Sequence, residues 1–87
     1  MDYNKLLEEK GFSLNTYSEG KFWELVVSED ESKKDHICKI FGFDSSIIDI
    51  DTLILQCSET FTKCTFYYDC NPFEIESDAF MQCVKNM

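Results

Sequence analysis

The sequence predicts a small α+β two-layer sandwich, a four-stranded antiparallel sheet with helices packed on one face in the order α-β-β-α-β-β-α. Three observations lead there. Apolar residues alternate with polar ones in two pairs of short segments, and turn-forming residues join each pair. Segments with helical spacing and capping residues stand before, between and after those pairs. The 87 residues include eight Phe, four Tyr and one Trp, enough apolar mass for one efficient core and too little chain for two. Residues 1–87 are therefore read as a single domain.

Residues 2–10 are predicted helical. Asp2 stands as cap, Tyr3, Leu6 and Leu7 share one face, and Gly11 follows where helices commonly end. Residues 12–18 and 21–28 read as a hairpin joined at Glu19-Gly20, where glycine supplies a positive φ. In its second strand Trp23, Leu25 and Val27 alternate with Phe22, Glu24 and Val26. One face is then core. The other stays partly apolar, which suggests a second layer or a partner.

Ser28 with Glu31 matches a capping box, and Asp30 is the alternative cap. The helix that follows runs to Phe41-Gly42, with Ile37, Ile40 and Phe41 as its apolar stripe and Lys34 and Cys38 at the margins. Its acids come first and its lysines later, the order the helix dipole prefers. Residues 43–51 open on a turn or cap, Asp44-Ser45-Ser46. They then either begin the next strand at Ile47 or remain irregular.

The central stretch, residues 52–70, is a second hairpin. Placing Cys57 opposite Cys64 also places Leu55 opposite Phe66 and Leu53 opposite Tyr68. Like faces like, so the register supports itself, and Cys70 continues the same buried face. Ile54, Gln56, Lys63, Thr65, Tyr67 and Asp69 fall on the other, wettable face. Asn71-Pro72 is read as the end of the strand. Ser77 then caps a last helix over residues 78–85, with Phe80, Cys83 and Val84 as its stripe.

Charge narrows the function. The chain carries 17 acidic residues against 8 basic ones, a net charge of −9, and every basic residue is lysine. Residues 44–87 hold 8 of the acids and only 2 of the lysines. Such a surface repels nucleic acid and anionic lipid and favours basic proteins. No apolar run approaches the roughly 18 residues of a membrane span. The opening Met1-Asp2-Tyr3-Asn4-Lys5 is polar and acidic, unlike a secretory leader. A cytoplasmic protein with reduced cysteines is expected.

The five cysteines, Cys38, Cys57, Cys64, Cys70 and Cys83, and the single His36 are the candidate metal ligands or nucleophiles. The intervals between the cysteines hold 18, 6, 5 and 12 residues, with none of the close pairs that structural zinc sites use. No nucleophile elbow, zinc-protease motif or phosphate-binding glycine loop occurs. Neither a metal nor another cofactor is expected, nor enzymatic activity. The cysteines read as small buried hydrophobes.

The expected function is that of a small inhibitor of a basic protein, a nuclease or another nucleic-acid-binding protein, acting by nucleic-acid mimicry. Asp49, Asp51, Glu59, Asp69, Glu74, Glu76 and Asp78 would form the negative flank, with Tyr67 and Phe73 as aromatic anchors within it. In size, acidity and its Lys-, Asn-, Ile- and Phe-rich composition the chain resembles small phage-encoded anti-defence proteins, including anti-CRISPR proteins, which act in the bacterial cytoplasm. It is similar in the same respects to immunity proteins that neutralise nuclease toxins, the alternative reading. A small cysteine-based redox or metal-binding protein is the alternative from another class.

Overall fold

The computed structural model describes residues 2–27, 30–49 and 53–87. Among them α1 (Tyr3–Glu9), β1 (Ser13–Tyr17), β2 (Gly20–Val26), α2 (Glu31–Phe41), β3 (Ile54–Ser58), β4 (Cys64–Tyr68), β5 (Asn71–Ile75) and α3 (Ser77–Lys85) follow one another, with a short 3-10 turn at Ser45–Ile47. The strands form one antiparallel sheet in the order β1-β2-β3-β4-β5, so each strand pairs with its neighbour in sequence. The α+β class is as predicted, but the sheet has five strands where the sequence suggested four.

The additional strand arises from the turn after β4. Asp69 and Cys70 both adopt positive φ, 47° and 62°, the backbone that the type I′ form of a two-residue hairpin loop requires at both central positions. Asn71 then pairs with Tyr68, and Pro72, Phe73, Glu74 and Ile75 pair in turn with Tyr67, Phe66, Thr65 and Cys64. Pro72 does not end the sheet because β5 is an edge strand. Every second N–H of an edge strand points away from the ladder, and proline is tolerated there. Cys70 consequently sits exposed in the turn and does not continue the buried face.

The register expected for β3 and β4 is present: Cys57 faces Cys64 and Leu55 faces Phe66. Leu53, completely buried, lies just before β3, where its carbonyl accepts from the Val27 N–H at 3.0 Å. In the first hairpin the loop is Ser18-Glu19, one residue earlier than predicted, because Gly20 with φ +129° already pairs with Tyr17.

Helix ends follow from local chemistry. The Asp2 carboxylate accepts from the N–H groups of Asn4 and Lys5, capping α1. Asp30 caps α2 by accepting from the Lys33 N–H at 3.0 Å. The Ser28 capping box and Glu29 lie outside the described residues, as do Asp51 of the predicted acidic flank and Thr52, the predicted start of the central hairpin. Gly42 ends α2 in the left-handed region, φ 84°, and the Phe43 N–H donates to the Cys38 carbonyl at 2.8 Å. That closure drives Phe43 onto Phe66, ring centroids 4.0 Å apart and nearly parallel. Ser77 is the first residue of α3 and not its cap; Glu76 takes the cap position with no side-chain hydrogen bond.

All helices serve one face of the sheet. Leu7 from α1, Ile37 and Cys38 from α2 and Phe80, Met81 and Val84 from α3 join Trp23, Leu25, Leu55, Cys57, Cys64 and Phe66 in a single core. Cys38, predicted marginal, is wholly buried. Trp23 also donates its indole N–H to the Asn4 side chain at 3.2 Å, fastening α1 to β2. Lys34 secures the segment after α2. Its ammonium donates to the Ile48 carbonyl at 3.1 Å and meets Glu31 at 2.9 Å, and the Glu31 hydrogen bond raises its pKa.

Candidate functional site

The alternate residues of the same strands make the sheet's open face, and the pairing arranges them in rows. Ser13, Glu24, Gln56, Thr65 and Glu74 face one another across all five strands. Beside them Val26, Ile54, Tyr67 and Pro72 form an apolar row across β2 to β5. On the other side Asn15 faces Phe22, which faces Ser58. None of these side chains belongs to the hydrophobic core, and Val26 and Tyr17 are 56% and 46% exposed.

Glu24 is the most elaborately held carboxylate on this face. It accepts from the Asn15 amide at 2.9 Å, from the Tyr17 hydroxyl and, at 3.5 Å, from the Gln56 amide. All three donors are neutral, so they orient the carboxylate without cancelling its charge. The hydrogen bond to Glu24 pushes the Tyr17 hydroxyl above its ordinary pKa.

The predicted site residues divide among several surfaces. Tyr67 and Glu74 belong to the open face. Phe73 faces the helices, stacked on Tyr68 at 5.3 Å and edge-on to Phe43 at 5.6 Å, although its own ring remains 39% exposed. The two predicted anchors thus point to opposite sides of the sheet. Glu59 lies in the β3–β4 turn, and Glu76 and Asp78 lie where β5 passes into α3, at the same end of the strands. Lys63, Glu74, Glu76 and Ser77 line a shallow groove there, with Lys63 and Glu74 3.9 Å apart. Asp69 occupies the turn at the opposite end, and Asp49 follows the 3-10 segment. Asp51 lies outside the described residues. The acids therefore form a rim distributed over both ends of the sheet and not one flank. Glu24 was not among the predicted site residues. The signal that marks it was present, an acid between two apolar residues on a strand face.

The cysteines occupy distinct environments. The Ser58 N–H donates to the Lys63 carbonyl at 2.9 Å, so the next pair, Cys57 and Cys64, is a non-hydrogen-bonded one in which side chains approach most closely. Their sulfurs lie 3.0 Å apart, both as free thiols. The hydrogen bond to Cys64, reinforced by burial, holds the Cys57 thiol far above its ordinary pKa. Burial likewise raises Cys38 and Cys83. A raised pKa keeps a thiol protonated and a poor nucleophile. Among the described residues no three His, Cys, Asp or Glu side chains gather in a way that could hold a metal ion, and no helix is long and apolar enough to cross a membrane. His36 lies exposed on α2, and its helix neighbour Cys38 is buried in the core.

Compared with protein-family models, with curated proteins and with solved structures, the chain matches none.

Proposed function

We propose that this protein is a small inhibitor that binds a basic, nucleic-acid-handling protein and occupies the surface where that protein receives nucleic acid. The observation that carries the reading is the excess of carboxylates. With 17 acids and 8 lysines, nine negative charges remain even if every lysine neutralises one acid. Lys34 pairs with Glu31 and Lys63 with Glu74, and the carboxylates of both pairs stay well exposed. Glu59, Glu76 and Asp78 are exposed as well, around a rigid sheet. Carboxylates held at the ends of strands present negative charge at fixed separations, as a phosphate backbone does.

Opposite fields steer such an encounter, so association is fast and sensitive to salt. Binding to the nucleic-acid-binding proteins of a bacterial lysate, fractionated on immobilised protein, should weaken at least tenfold between about 0.05 and 0.5 M salt. The captured target should lose its affinity for nucleic acid in the complex. Retention that is indifferent to salt, or a captured target that still binds nucleic acid, rejects the proposal.

A further inference from the structure

The open face sets a continuous apolar row directly beside an uncompensated carboxylate. Neighbouring strands lie about 4.8 Å apart, so Val26, Ile54, Tyr67 and Pro72 extend roughly 15 Å across the sheet without a charge. Glu24, next to Val26 along β2, is aimed by Asn15, Tyr17 and Gln56, and among the described residues no lysine reaches it. An apolar strip with one oriented charge at its margin is the pattern of an interface with a defined register, in which burial supplies affinity and the charge supplies orientation.

We infer that this face docks a protein surface presenting a lysine or arginine among apolar side chains, with the cation on Glu24 and the apolar groups over Val26, Ile54 and Tyr67. Charge identifies the occupant. A second copy would bring another nine negative charges and a second Glu24 against the first, and nucleic acid would be repelled in the same way. A basic protein surface is attracted by the whole molecule and neutralises Glu24 on contact. The inference rests on the reading of the target as a basic protein. It moves the principal contact from the acidic rim to the sheet face, leaving the rim to steer.

The test uses two synthetic peptides of equal length and charge, one alternating lysine with leucine and one alternating lysine with serine. Amide chemical shifts of the intact protein are followed as each is added. The lysine–leucine peptide should bind more tightly and perturb β2, β3 and β4 around Glu24, Ile54 and Tyr67. Val26→Asp should weaken it about tenfold with the far-UV circular dichroism unchanged, and Glu24→Gln should weaken it about fivefold and flatten its salt dependence. Perturbations confined to Glu59, Glu76 and Asp78, or wild-type binding by both variants, overturn the docking face while leaving a salt-sensitive inhibitor intact. Binding at the face that salt does not alter overturns the cation on Glu24, and with it the inference, because charge is what identifies the occupant. No binding of the lysine–leucine peptide at low salt overturns the inference. So does a concentration-dependent dimer in sedimentation that Val26→Asp abolishes, because the occupant is then a second copy.

Discussion

The two faces of the sheet are built from alternate residues of the same strands, yet they obey different rules. On the helix side Trp23, Leu25, Leu55, Cys57, Cys64 and Phe66 are all buried and meet partners from three helices. On the open side Glu24, Val26, Ile54, Gln56 and Tyr67 meet mainly their cross-strand neighbours. Stability resides in the first face; the second is the one we propose for recognition. Cysteine shows the difference most plainly. Three successive cysteines of the central region, Cys57, Cys64 and Cys70, begin as equivalent letters, but two are core and the third is an exposed turn residue.

The sharpest way to break the comparison is at its centre. Phe66, wholly buried and packed against Phe41 and Phe43, should cost about 3–5 kcal/mol on replacement by alanine, enough to unfold much of so small a domain. Val26→Ala on the open face should cost less than about 0.5 kcal/mol. Urea denaturation of both variants measures the contrast, and equal losses would mean that the open face is packed too.

The cysteines offer the next largest effect. Cys57→Ser places a buried hydroxyl where the near partners are the Cys64 thiol and, at 3.6 Å, the Ser58 carbonyl. It should destabilise by about 1–3 kcal/mol, whereas Cys70→Ser in the exposed turn should be almost neutral. Native-state alkylation gives a parallel measurement, in which Cys70 should be modified long before Cys57 or Cys64.

A smaller gain is expected in the β4–β5 turn. Cys70 holds φ +62° with a Cβ, a conformation in which glycine is unstrained. Cys70→Gly should therefore stabilise the protein by about 0.5–1 kcal/mol, read as a higher urea midpoint with unchanged slope.

The smallest effect concerns pH. The hydroxyl and N–H of Ser46 donate to the Asp44 carboxylate at 2.7 and 3.0 Å and lower its pKa below the ordinary 3.8. A carboxylate with a depressed folded value contributes stability that is present above the unfolded value and lost as pH falls through the folded one. Unfolding midpoints measured from pH 5 downward should fall less steeply in Asp44→Asn than in the parent.

Several elements are legible in the amino-acid order because their signals are local or self-consistent. Asp2 before Tyr3-Leu6-Leu7 and Gly42 after Phe41 mark helix ends by their own chemistry. The Cys57–Cys64 register is legible because a slip of one residue would send Leu55 and Phe66 to water. The fifth strand is hidden for an equally physical reason. Its turn uses Asp69 and Cys70 in the left-handed region with no glycine to announce it, and Asn71-Pro72 carries the signature of a stop. Of the candidate site, the acidity and the place of Tyr67 on the wettable face are visible in the sequence. The separation of Tyr67 from Phe73, and of Asp69 from Glu76, depends on the missing strand. Once β5 folds back along β4, Phe73 returns to the helix side and Glu76 to the far end.

Residue type and short spacing suffice for the α+β class, the helix caps, the central register and the excess of negative charge. The number of strands in the sheet, the burial of some cysteines and not others, and the three hydrogen bonds that orient Glu24 come from the folded arrangement alone. Those outcomes depend on which strands become neighbours, and strand pairing brings together residues that are distant in the chain and carry no mark of one another.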